Sequence, residues 1–312
     1  MRDISIPEDI VEEIARIYGY HNLPNVISPM VHIPQPPEFR KLFEIQKTLK
    51  LHLKHLGLHE SMNYSMISKQ LIERMNLSLE HHLKVANAIS EEVRYMRTSL
   101  LPSLVENLRL NQGKKDLLRF FEIAKVYYPQ DGDLPKEIYK VAIATNTSFA
   151  DLKGVIESLL HELHITDYQL KKAKIHIFST DEVVDFVVKD RVIGSVGKLS
   201  TELQHANGLK SATYLASFDL LSLIEFSSST GKYSPVNQFA TIKLDLNVST
   251  DHSYQEIEQR AHRSSKLLTH LEYCGTYGDR HTIRFYFSSR DKNLTESEAQ
   301  QELALIQTAL SK

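Results

Sequence analysis

A chain of 312 residues has room for two or three domains. Its 24% charged and 42% hydrophobic residues, with a net charge of −2, describe an ordinary globular composition that argues neither for nor against a nucleic-acid partner. The single cysteine, Cys274, rules out an intramolecular disulfide. The absence of a membrane-length apolar run or a signal-peptide core predicts a cytoplasmic protein.

The chain opens on "RDISIPEDIVEEIARIYGYHNLP". Ser5 and Glu8 are spaced as a capping box, and Pro7 belongs in a first turn, so a helix is expected from about Ile6 to Gly19. Ile10, Ile14 and Ile17 form its apolar stripe and are expected to be buried. Asp9, Glu12 and Glu13 share the opposite face. That face reads either as a solvated acidic turn favoured by the helix dipole or as oxygen ligands for a hard cation.

Four of the ten prolines fall between Pro29 and Pro37, an extended joint. Leu42, Ile45, Leu49, Leu53 and Leu56 then mark a helix capped by Gly57, with a strand to Tyr64. A helix is predicted over Ser99 to Leu110 and a strand over Arg119 to Tyr127. "EIYKVAIAT" alternates as a strand, and "ADLKGVIESLLHEL" is helical. "EVVDFVVKDRVIGSVGKLS" reads as a hairpin turning at Asp190 and Arg191, and "TYLASFDLLSLI" as a strand entering a helix. Hairpins mixed with helices indicate an α+β, antiparallel-rich sheet. His52, His55, His59, His161 and His164 recur at helical spacing without a zinc motif and read as solvent-facing positions.

A second joint, Phe226 to Ser234, precedes a β-α-β-β-α order. Its strands are Thr241 to Val248, Leu271 to Tyr277 and Thr282 to Phe287. Ser253 with Glu256, and Thr295 with Glu298, are capping boxes for its two helices. This is a ferredoxin-like order.

Several of these stretches resemble one family, the bacterial phenylalanyl-tRNA synthetase β subunit. "MRTSLLPSLVENLRLNQGKKDLLRFFEIAKVYY" resembles its "LRTSLLPGLL…N…RLFEIGRVF" segment. "FADLKGVIESLL" is similar to "FYDLKGDVEALL", and "VIGSVGKLSTEL" to "VIGxLGELHPEV", with Lys198 and Ser200 departing from Glu and His. The opening stretch resembles "RxDIxxEADLIEEVARIYGYDNIP", the end of the family's acidic module. "FATIKLDLNVS" and "FYFSSRDKNLTESE" are similar to "FPAxRRDLALVV" and "LTFxxPxRTLTDEE" of its closing ferredoxin-fold anticodon-binding domain.

The resemblance implies three regions: residues 1–28, the end of an acidic Mg²⁺-binding module; 29–232, a class II synthetase-like antiparallel sheet without catalytic apparatus; and 233–312, a ferredoxin-like anticodon-binding domain. It implies Mg²⁺ ligands at Asp3, Asp9, Glu12 and Glu13, shared with an α subunit. It also implies a phenylalanine–tRNA ligase of (αβ)₂ form in which the α subunit uses ATP. Tyr128 and Pro129 stand where a class II arginine would be expected, and no G-x-G-x-x-R occurs, so this chain alone is expected to be inactive. tRNA contact would fall to local residues such as Lys243 and Arg284, with Tyr277 and Tyr286 able to stack, although on the residues alone core packing explains those aromatics as well or better. The helix through Leu42–Leu56 and the strand after it resemble a class II dimer element, so exposed apolar surface is expected there. The family's closing strand after the last helix is missing from the sequence, which would leave the strand from Thr241 as an edge. A second reading is a free-standing RNA-binding or assembly protein descended from such a subunit.

Overall fold

The computed structural model describes residues 4–26, 34, 36–228, 230–231, 233 and 235–311. The chain divides into two compact units, residues 1–45 and 46–312. Most of the proline-rich joint lies outside the described residues.

In the first unit, α1 spans Pro7–Tyr18 and a 3-10 turn follows at Tyr20–Asn22. Gly19, at φ 92°, ends the helix and donates its N–H to Ala15 O at 2.9 Å. The cap differs from the expected Ser5–Glu8 pair. Ile6 holds the cap position, and the Asp9 carboxylate accepts from Ser5 N at 2.6 Å and Ile6 N at 2.9 Å. The expected burial of the isoleucine stripe is also corrected: Ile10, Ile14 and Ile17 are 50%, 63% and 82% exposed. Periodicity marks the face a helix would bury, and α1 is held by local bonds with no buried residue of its own.

A second helix, α2, spans Pro37–His55, running from the first unit into the second. Leu49 and Leu53 are fully buried, and Leu42, Ile45 and Leu56 partly so. Gly57 turns the chain at φ 83°, but the strand beyond it, β1 (His59–Glu60), is two residues long rather than reaching Tyr64. Then come β2 (Met66–Ile67), α3 (Lys69–Arg74), β3 (Tyr95–Met96), α4 (Leu101–Asn111), β4 (Arg119–Tyr128), β5 (Lys136–Thr145) and α5 (Phe149–Glu162). They are followed by β6 (Gln169–Lys172), β7 (Phe178–Val188), β8 (Arg191–Leu199), α6 (Thr201–Ala206), β9 (Tyr214–Asp219) and α7 (Leu220–Phe226).

These strands make a seven-stranded sheet of order β1-β4-β5-β9-β8-β7-β6, antiparallel except for the β1–β4 pair. The β7–β8 turn falls on Lys189 and Asp190, at φ 46° and 62°, one residue earlier than expected; Arg191 already belongs to β8. Two positive φ values in a two-residue hairpin suit the right-handed strand twist. On one face, Leu101, Leu104, Val105 and Leu108 of α4 join a core with Ala142, Ala144, Val126 and Leu215. Val141 and Ile143 point the other way by the pleat, toward the side where α5 and α7 lie. No helix among the described residues is long and apolar enough to cross a membrane.

The last stretch adds β10 (Ile242–Ser249), α8 (Tyr254–Ser264), β11 (Leu268–Tyr277), β12 (Arg280–Phe287) and α9 (Glu296–Leu310). Both expected capping boxes form, Ser253 with Glu256 and Thr295 with Glu298. The three strands pair antiparallel in the order β10-β12-β11. Ile257, Ala261, Ala299 and Ile306 of the helices bury one sheet face against Val248, Ile283, Phe285 and Phe287. The alternate residues of each strand are left on the opposite, open face.

Candidate functional site

The open face of the three-stranded sheet gathers three of the four residues read as RNA contacts. In the register, Lys243 lies opposite Tyr286 and Asp245 opposite Arg284, while on the other side His270 lies opposite Tyr286 and Glu272 opposite Arg284. Lys243 Nζ sits 5.4 Å from the centre of the Tyr286 ring. The His270 ring stacks on Tyr286 with centroids 3.8 Å apart and planes 18° from parallel. Arg284 donates to both Asp245 oxygens, Nε at 2.8 Å and Nη2 at 2.9 Å. Tyr277 stands apart at the hairpin end, opposite Arg280 and 91% exposed.

The same geometry brings in residues that spacing alone passes over. Asp245 and Glu272 hold Arg284 and Tyr286: the Asp245 hydrogen bond raises the Arg284 guanidinium above its ordinary value and lowers the Asp245 carboxyl in return. The Tyr286 hydroxyl donates to Glu272, which raises the phenol. The face is therefore a laced network of aromatic rings and paired charges. Same-face alternation was the available signal, since Lys243 and Asp245 are two apart and so are Arg284 and Tyr286.

The acidic helix is arranged differently. Asp3 lies outside the described residues. Asp9 caps α1, and its two backbone N–H partners hold its carboxyl below the usual range. Glu13 pairs with Arg16 through a short contact, and Glu12 is exposed. Among the described residues, which do not include Asp3, no group of three His, Cys, Asp or Glu side chains could hold a metal ion.

Tyr128 of β4 and the two glycines of β8 lie in the seven-stranded sheet. Tyr128 donates its hydroxyl to Thr98 O at 2.9 Å. A Cβ on Gly194 would lie 2.2 Å from the Phe218 ring, and one on Gly197 2.8 Å from Phe178, so both glycines are covered by aromatic rings. Of the histidines, His52 is docked rather than solvent-facing, with Nε2 2.9 Å from Ser158 Oγ on α5. On α2, Phe39, Phe43 and Leu51 are exposed, as are Met62 and Tyr64 in the loop after β1.

Comparison with known proteins places this architecture. Residues 28–220 match the family described as the phenylalanyl tRNA synthetase beta chain CLM domain. A phenylalanine–tRNA ligase beta subunit of Clostridium acetobutylicum is 29% identical over 94% of this chain and 39% of its own length. One from Fusobacterium nucleatum is 28% identical over 97% of this chain and 41% of its own. The chain thus spans about two fifths of the curated relatives it matches. Among solved structures, a pyrrolysyl-tRNA synthetase from Desulfitobacterium hafniense superposes with a TM-score of 0.51, at 15% identity, over 70% of this chain and 75% of its own. That likeness is one of fold, a class II synthetase sheet. With the family match running from the proline-rich joint through β9, this chain belongs to the phenylalanyl tRNA synthetase beta chain CLM domain family.

Proposed function

We propose that the chain is the C-terminal part of a non-catalytic β-type subunit that supports aminoacylation of tRNA(Phe) by assembling with a catalytic α subunit in an (αβ)₂ complex in the cytoplasm. The observation that carries the reading is its alignment with named β subunits along 94–97% of its length. ATP would be used by the α partner. The three-region division at residues 28 and 232 belongs to the same proposal, as does a ferredoxin-like C-terminal domain, for which the strand order β10-β12-β11 under two helices is the support.

The open face of that domain is read as the anticodon-side contact. Lys243 and Arg284 would meet phosphate and Tyr286 or Tyr277 would stack on bases, with Arg284 exchanging Asp245 for an RNA oxygen. Asp3, Asp9, Glu12 and Glu13 would contribute carboxylates to a Mg²⁺ site shared with the α subunit, their residue types and spacing being the support.

The test combines the purified chain with an α-type subunit and tRNA(Phe). Association in sedimentation, with tRNA affinity weakened by Lys243→Ala and a salt slope reduced by about one, is the expected result. No association with α and no tRNA binding at low salt would overturn it.

A further inference from the structure

The seven-stranded sheet ends on β6, whose outer edge has no strand beside it. Such an edge presents backbone N–H and C=O groups to any passing chain and is usually covered. Here Gln255 of α8 lies against it. With the Gln255 amide turned so that donor meets acceptor, Nε2 donates to Leu170 O at 3.0 Å and Oε1 accepts from Leu170 N at 3.1 Å. A primary amide carries the donor and acceptor of a peptide group, so it can take the place of one residue of a neighbouring strand.

We propose that Gln255 is a latch: its amide pairs with the free edge of β6 at Leu170 and docks the three-stranded module on the seven-stranded sheet in one orientation. A cleft of about 810 Å³ lies beside the amide, lined by Lys153, Glu157, Tyr168, Lys172, Tyr254 and Glu258. Its polar groups are largely satisfied within their own halves, Tyr168 by Glu157 at 3.2 Å and Tyr254 by Leu271 O at 3.1 Å. Burial, then the nearby carboxylates, push Tyr168 well above the usual phenol range and Tyr254 up to about 12. Glu157, paired with Lys153, lies on one wall and Glu258 on the other, with the neutral amide pair beside them. The amide pair is then a specific tie between the three-stranded module and the large sheet. This inference holds whether or not the open sheet face binds RNA.

The experiment uses the whole chain. Gln255→Met keeps length and helix propensity but has no amide. Amide exchange at Leu170 should speed by roughly tenfold, as for the loss of two neutral hydrogen bonds, with β10 and β12 unchanged. The distance distribution between a spin label on the exposed native Cys274 and one on Asp190→Cys at the β7–β8 tip should broaden. Gln255→Asn, one methylene too short to reach both atoms, should behave like the Met variant. Unchanged Leu170 exchange and an unchanged distance distribution in both variants would overturn the latch.

Discussion

Arg97 and Glu122 face each other at 2.8 Å with side chains only 2% and 3% exposed. Arg97 also donates from Nε to Lys125 O at 3.1 Å, and Asn63 donates from its amide to Glu122 Oε2 at 2.8 Å. The pair thus ties the loop after β1 to the middle of β4. Two charges so far from water need each other, and removing one strands the other.

Arg97→Met should accordingly destabilise the chain by about 3–5 kcal/mol, whereas Arg97→Met with Glu122→Leu should recover a large part of that loss. Urea midpoints at constant slope measure both. A single variant no weaker than the double would show that the pair is not what holds the loop.

Gly194 supplies a second, purely steric prediction. The Phe218 ring occupies the space a side chain would need, and Phe218 is itself packed edge-on against Phe186 at 5.4 Å. Gly194→Ala should cost about 1–3 kcal/mol through overpacking. Adding Phe218→Ala should relieve the clash itself, because the atoms Cβ meets are Cγ, Cδ1 and Cε1 of the ring, while leaving the cost of the cavity. A fully stable Gly194→Ala in thermal melts would mean the ring moves aside without resistance.

How much of this was legible beforehand differs by element. The C-terminal module could be read almost completely. Its capping boxes are local, and the alternation of Ile242, Leu244 and Leu246 with Lys243 and Asp245 follows from the pleat alone. The helix α1 was legible as a helix but not as an unburied one, because a stripe does not say what covers it. Glu272 escaped notice as the partner of Tyr286 because β11 reaches its register through two shifts, at Leu268/His270 and Tyr273/Gly275, that no spacing rule encodes. The shortness of β1 has a different origin: Ser61 still donates to Phe121 O, but the chain beyond it turns toward the Arg97–Glu122 pair, a contact distant in sequence.

The cap of α9 gives a prediction in pH. Glu298 accepts from Thr295 N at 2.8 Å and pairs with Lys292 through a short contact. Lys292 first, then the Thr295 bonds, lower its carboxyl from 4.5 to about 2. A carboxyl depressed in the folded state stabilises it above the unfolded value, and that contribution fades as pH falls from about 4.5 toward 2. The start of α9 should fray in that window, and Lys292→Ala should move the Glu298 titration upward toward the ordinary value. Carboxyl chemical shifts followed through an acid titration measure this. An unshifted Glu298 in the Lys292 variant would assign the depression to the backbone cap alone.

The final prediction concerns β10. It pairs with β12 along one side from Ile242 to Ser249, and among the described strands nothing pairs with its other side. In an antiparallel edge strand alternate N–H groups point at the neighbour and the rest point away. Amide exchange along β10 should therefore alternate, every second residue slow and the ones between fast, while β12, flanked by β10 and β11, should be slow throughout. Lys243 and Asp245 place charge on the open face beside this edge, the usual means of discouraging a second copy from adding a strand. Neutralising both, with Lys243→Gln and Asp245→Asn, should raise self-association at high concentration, seen by light scattering. Uniformly slow exchange along β10 in the dilute chain would show its outer edge to be covered, and the charge substitutions would then leave association unchanged.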